Sequence, residues 1–191
     1  MLADSGPMVL YLVRHGATEW SKNGRHTGVT DLPLLPEGED DARRMASRLA
    51  GHEFASVITS PRQRARRTAE LAGFPDAVVD EDLVEWGYGE YEGISTVQIR
   101  ETDPGWSIWT GYTPGGETAD EIAARLDRVI ARARACDGDV LAFAHGHCLR
   151  ALAARWVEEP VSFGRFLMLG TATLSILGDD RGQAAVLTWN S

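Results

Sequence analysis

The sequence predicts an α/β fold, a three-layer αβα sandwich whose mainly parallel central sheet carries helices on both faces. Three observations predict it. Apolar runs at Val9-Leu10-Tyr11-Leu12-Val13, Val57-Ile58-Thr59 and Val140-Leu141-Ala142-Phe143-Ala144 are bounded by Gly, Pro and polar residues, the pattern of strands buried on both faces. Strand-like and helix-like segments alternate along the chain. The 191 residues, 43% hydrophobic and 25% charged, suit one globular domain over 1–191, without repeat, low-complexity tract or linker.

Each element has its own local signal. The first run leads into Arg14-His15-Gly16. Residues 36–50 read as a helix, with Pro36 at the start, acids in the first turn, and Ala42, Met45, Ala46 and Leu49 on one stripe. The second run leads into Ser60, an expected N-cap, with Pro61 at the first helical position, Gln63 closing a capping box and Gly73 as the stop. Residues 85–117, rich in Gly, aromatics and acids, read equally as surface loops with aromatic anchors or as a pocket wall. Thr118 and Glu121 form a capping box, followed by an apolar face of Ile122, Leu126, Val129, Ile130 and Ala133. After the third run a helix is expected from His147 through Trp156. Leu174-Ser175-Ile176-Leu177 and residues 184–189, parted by Asp179-Asp180-Arg181-Gly182, read as a hairpin or adjacent edge strands.

Composition removes several function classes. A net charge of −9 argues against nonspecific binding to nucleic acid or anionic membrane. Two cysteines, Cys136 and Cys148, suggest reduced thiols rather than a disulfide scaffold. The N-terminus has Asp4 and no basic segment, and no apolar run is long enough to span a bilayer, so a cytoplasmic location is expected. The single lysine, Lys22, belongs to no P-loop, and neither a dinucleotide-binding glycine pattern nor a Gly-x-Ser-x-Gly elbow occurs.

The ends of the three runs carry the chemistry. Ligands of open α/β sheets sit beyond the carboxyl ends of the strands. There the sequence places Arg14 and His15, the arginine-rich stretch from Arg62 to Arg67, and His145 and His147. Neutral imidazole can attack phosphorus, although Arg-His-Gly by itself reads first as a structural histidine. Arg64, early in a helix, can lean back toward the strand ends, whereas Arg62, Arg66 and Arg67 read as a solvated face pairing with acids. His145-Gly146-His147 has a metal-ligand spacing, but Gly146 suggests a strand-to-helix turn in which the rings need not converge. Trp106, Trp109 and Tyr112 are candidates for a homodimer interface, a pocket wall or core anchors.

The motif Leu12-Val13-Arg14-His15-Gly16-Ala17-Thr18-Glu19-Trp20 resembles the opening of the histidine phosphatase superfamily, the phosphoglycerate-mutase-like proteins. The resemblance continues through Thr27-Gly28-Val29-Thr30-Asp31-Leu32-Pro33-Leu34, Thr59-Ser60-Pro61-Arg62-Gln63-Arg64-Ala65, Glu85-Trp86, Tyr91-Glu92-Gly93, Gly115-Gly116-Glu117-Thr118 and His145-Gly146-His147. It implies His15 as a phosphorylated nucleophile, Arg14, Arg64 and His145 as the rest of a phosphate pocket, and Glu85 as general acid and then base. It implies neither metal nor cofactor, and a small phosphorylated metabolite as the partner. The chain is also similar to an actinobacterial phosphatase type and to fungal sedoheptulose-1,7-bisphosphatases, a likeness that adds His26, Thr27, Tyr88 and Arg150 as substrate contacts. Ser21 stands where many mutases have asparagine, and the mutases' insertion between Glu85 and His145 is missing. Both features favour a phosphatase, with a phosphoglycerate mutase or a sugar-bisphosphate-specific phosphatase as alternatives.

Overall fold

In a computed structural model describing residues 8–191, β1 (Leu10–Arg14), β2 (Ser56–Thr59), β3 (Val78–Val79), β4 (Val140–Ala144), β5 (Leu174–Asp180) and β6 (Gln183–Thr188) form one sheet. The reading of the N-terminus through Asp4 lies outside the described residues. The strand order is β3-β2-β4-β1-β5-β6. Strands β3, β2, β4 and β1 pair in parallel, β5 pairs antiparallel with β1, and β6 antiparallel with β5. Only β5 therefore runs against the rest, and the expected mainly parallel sheet holds. The central strand β4 is buried at every position.

Successive strand side chains point to opposite faces, and both faces are covered. Leu10, Leu12, Val140 and Ala142 pack with α5 (Ala119–Arg134) and α6 (Gly146–Trp156) through Leu126, Val129, Leu149 and Leu152. Tyr11, Val13, Leu141 and Phe143 pack on the other side with Met45 and Leu49 of α2 (Pro36–Leu49) and Ala69 of α3 (Gln63–Leu71). Burying a Leu or Phe side chain is worth about 1.5–3 kcal/mol, so the strict alternation along β1 and β4 fixes which helices lie on which face.

Most local signals hold. The Thr118–Glu121 capping box opens α5, and α6 ends at Trp156 as expected. The last two strands form a hairpin whose turn residues Arg181 and Gly182 both have positive φ, 56° and 82°, the requirement of a tight turn matched to strand twist. Gly16 and Gly38 meet backbone to backbone. A Cβ on Gly16 would lie 2.3 Å from the Gly38 carbonyl oxygen, and one on Gly38 2.3 Å from that of Ala17. Only glycine permits this approach, which presses the first turn of α2 onto the segment after β1.

Two expectations change. Helix α3 begins at Gln63, not at Pro61, and Ser60 is not its cap. The Ser60 hydroxyl bonds the His145 ring at 2.7 Å, while the Gln63 amide N–H is capped at 2.9 Å by the Asp31 carboxylate. A distant carboxylate has displaced the local cap. Residues 85–117 are also more ordered than their composition suggests, containing α4 (Thr96–Thr102) with a Ser95–Gln98 capping box. That Ser-x-x-Gln signature was readable in the sequence. The short helix α1 (Glu19–Asn23) opens on a Thr18–Ser21 box.

Candidate active site

Parallel strands β2, β4 and β1 lie side by side, so their carboxyl ends open on one edge. The ladder runs past the strands proper: the His15 N–H donates to the Ala144 carbonyl at 3.0 Å and the Ser60 N–H to that of Phe143 at 2.9 Å. This locks His15, Ser60 and His145 into register.

The hydrogen bonds fix both imidazole tautomers. His15 Nδ1 lies 2.7 Å from the Gly16 carbonyl oxygen. A carbonyl only accepts, so Nδ1 carries the proton and Nε2 keeps a free lone pair. Arg64 Nε donates to His145 Nδ1 at 3.1 Å, so His145 carries its proton on Nε2 and donates it to Ser60 Oγ. The two rings stand edge to face, 5.2 Å between centroids. Burial, reinforced for His15 by Arg14 and Arg64, pushes the pKa of each well below the ordinary histidine range. Both shifts favour the neutral ring, and a neutral imidazole with a free nitrogen has the chemistry of a nucleophile.

Arg14 lies against Gly146, where a Cβ would sit 3.2 Å from its guanidinium carbon. It donates to the Leu169 carbonyl, but its Nε is buried with no partner among the described residues. Arg64 is arranged differently from its expected place in the pocket wall. It is fully buried, bonds His145, and spends its terminal nitrogens on the carbonyls of Thr27, Gly28 and Thr30. It supplies charge and holds His145 from behind.

Glu85 comes from the loop before α4 yet acts as the N-terminal cap of α6. One carboxylate oxygen accepts from the Trp86 and Cys148 N–H groups at 2.9 and 2.7 Å, the other from His147 N–H at 3.0 Å. Free N–H groups at a helix start favour a carboxylate there. Behind this loop the Arg125–Glu117 ion pair, 2.6 Å, also holds the Glu85 carbonyl and the Gly87 N–H.

Arg14, His15 and Glu85 share one cavity of about 600 Å³, whose wall also includes Ser21, His26 and Thr27. Tyr88 and Arg150 border it too, whereas Arg64 and His145 do not. Ser21 Oγ is engaged by the α1 cap, accepting from the Thr18 N–H and donating to its carbonyl. The His145 and His147 rings diverge, His147 Nδ1 lying 2.6 Å from the Tyr88 hydroxyl. Among the described residues no group of three His, Cys, Asp or Glu side chains is placed to hold a metal. Trp106 and Trp109 are buried in the cavity wall, which removes them as an interface patch; Tyr112 is exposed. Arg67 pairs with Glu39 and Glu70 as expected, but Arg62 has a buried Nε without a partner among the described residues. Sequence reasoning missed Ser60 as the partner of His145, and three further cavity arginines, Arg25, Arg100 and Arg165.

The neutral histidines make stability depend on pH. Burial also pulls His147 well below the ordinary range and His26 down to about 4. Unfolded histidines protonate near pH 6.5, roughly, and the folded ones do not, so the unfolded state binds more protons below that pH. Stability is therefore lost as pH falls from about 6.5 toward 4, by up to about 1.4 kcal/mol per pH unit for each such group. Urea melts at pH 7, 6 and 5 are expected to show a steadily falling midpoint. A flat midpoint would mean that these rings titrate normally.

An imidazole with a free nitrogen lies beside a guanidinium at the carboxyl edge of the parallel strands of an α/β sheet, an arrangement whose chemistry suits an oxyanion. The chain belongs to the histidine phosphatase superfamily, branch 1, whose family model matches residues 10–191. It is 42% identical over 185 residues to an acid phosphatase of Mycobacterium tuberculosis, covering 93% of this chain and 91% of that protein. It is 40% identical over 178 residues to the sedoheptulose 1,7-bisphosphatase of Saccharomyces cerevisiae, covering 76% of this chain and 66% of that one. A solved structure of a Mycobacterium tuberculosis open reading frame superposes with a TM-score of 0.92 at 38% identity, covering 96% of this chain and 97% of that one. No described helix is long and apolar enough to cross a membrane.

Proposed function

We propose that this protein is a metal-independent phosphomonoesterase that hydrolyses small phosphorylated metabolites in the cytoplasm through a phosphohistidine on His15. The observation that carries this reading is that His15, whose Nε2 keeps a lone pair, shares one cavity wall with the Arg14 guanidinium and the Glu85 carboxylate. A phosphoryl group in that cavity would meet the Arg14 guanidinium through charge-assisted hydrogen bonds.

In the first step His15 Nε2 attacks phosphorus, the bond to the leaving alcohol oxygen breaks, and Glu85 gives that oxygen a proton. In the second step water attacks phosphorus and the P–N bond breaks. Glu85 takes the water proton, and inorganic phosphate departs with His15 neutral again. Phosphoryl transfer asks mainly for alignment and positive charge around the equatorial oxygens. Arg14 supplies both at close range, and Arg64 adds charge through its contact with His145.

The test is phosphate release from an aryl phosphate in excess chelator, with rapid quenching to trap an acid-labile phosphoenzyme. Undiminished turnover with a trapped phosphohistidine is expected. Loss of activity on chelation would overturn metal independence, and interconversion of 3- and 2-phosphoglycerate faster than hydrolysis would make the enzyme a mutase.

A further inference from the structure

Glu85 stands between two short 3-10 turns, Glu81–Leu83 and Gly89–Tyr91, in a stretch that belongs to no helix or strand. Loops of this kind are the mobile parts of a fold, whereas a proton donor must be aimed. A largely buried ion pair on the far side of the loop restrains it. Arg125 of α5 donates from Nε and one terminal nitrogen to the two carboxylate oxygens of Glu117, at 2.6 and 2.9 Å. That terminal nitrogen also reaches the Glu85 carbonyl at 3.3 Å, and the other reaches the Asp82 carbonyl at 2.6 Å. Glu117 grips the next two residues. Its carboxylate accepts from the Gly87 N–H at 3.2 Å and its own N–H donates to the Gly87 carbonyl at 2.8 Å. Its carbonyl accepts from the Trp86 indole N–H at 2.8 Å.

The route from this pair to the carboxylate runs through one peptide group. The Glu85 carbonyl and the Trp86 N–H are its two ends, and a peptide group is planar. Arg125 holds the carbonyl end, while the N–H end donates to Glu85 Oε1 at 2.9 Å. Fixing that plane therefore fixes the aim of the carboxylate, which the start of α6 holds from the other side. Neither Arg125 nor Glu117 lines the cavity, so neither can meet the substrate. Packing alone does not explain the pair either, because apolar residues of similar volume often replace a buried ion pair without loss of stability. A guanidinium fork does what they cannot: it meets both carboxylate oxygens and still donates to two backbone carbonyls.

We propose that Arg125 and Glu117 are positioning residues for the general acid: through the Glu85–Trp86 peptide they hold the Glu85 carboxyl in line with the leaving-group oxygen. The inference rests on the phosphatase reading above.

The experiment measures kcat and KM on an alkyl and an aryl phosphate for wild type, Glu117→Gln and the double variant Glu117→Gln/Arg125→Gln, each also in a Glu85→Gln background. The double variant removes both charges together and leaves none buried without its partner. Misplacing a reacting group by about 1 Å costs on the order of 10²-fold, so kcat on the alkyl phosphate should fall by about 10- to 100-fold in each variant. KM should stay within about 2-fold, as for a group that acts only on the transition state. Aryl turnover, which needs little protonation, should stay within about 3-fold and thereby reports that the variants are folded. Once Glu85 is glutamine, the same replacements should add almost nothing on the alkyl phosphate, because the group they aim is gone. Arg128→Gln breaks an exposed bridge to Asp82 on the same helix and serves as the control, leaving both activities unchanged. An unchanged alkyl rate, equal losses on the two substrates, loss of folded protein in both variants, or full additivity with Glu85→Gln would overturn the positioning role. If wild type does not hydrolyse the aryl phosphate, or Glu85→Gln by itself loses both substrates equally, the reading of the reaction fails instead.

Discussion

Replacing His15 by alanine is expected to lower phosphate release by on the order of 10⁴-fold or more and to abolish the trapped phosphoenzyme. The size of the effect follows from the tautomer. Gly16 holds the Nδ1 proton, so the whole nucleophilic capacity of the ring sits on Nε2. The neighbouring imidazole cannot take over: both His145 nitrogens are already engaged, by Arg64 and by Ser60. Free imidazole should restore part of the activity, because the space left by the ring keeps Arg14 on one side. Activity within about 10-fold of wild type would remove His15 from the reaction, since loss of a covalent nucleophile costs far more than that.

Glu85→Gln is the second large effect, and its signature is selective. With alkyl phosphates, whose leaving alcohol needs a proton, the loss is expected at roughly 10²–10⁴-fold. With aryl phosphates, whose leaving group departs unaided, it should be much smaller. The same substitution weakens the cap of α6, because an amide replaces one of the oxygens that accept from His147 and Cys148. That costs about 1 kcal/mol of stability, visible in a thermal melt and independent of the leaving group. Equal losses for both substrate classes would reduce Glu85 to a cap and deny it the acid role.

These expectations rest on groups that were legible to different degrees. The strand ends bearing Arg14, His15 and His145 could be read directly, since a short apolar run and the turn after it are local patterns. Helices α2 and α5 were equally plain, their stripes and starting residues lying within a few turns. The short helix α4 went unread although Ser95 and Gln98 marked its start, because the surrounding glycines and tryptophans suggested irregular chain. Ser60 had the right neighbours for a helix cap, yet His145 claimed its hydroxyl across the sheet and Asp31 capped α3 instead. Local propensity lost there to two contacts made by residues distant in the chain.

The sequence by itself determined the central strands and the long helices, the family to which the chain belongs, and the chemical groups that end each central strand. The elements follow from periodicity and capping, forces that act between near neighbours, and the family follows from the resemblance of its motifs. Tertiary structure alone decided that Arg64 turns inward to hold His145, that Glu85 caps a helix 60-odd positions away, and that Arg25, Arg100, Arg150 and Arg165 line one cavity. Burial and long-range hydrogen bonding set those outcomes. They depend on which faces pack together, and a protonation state or a partner changes with that packing while the local pattern stays the same.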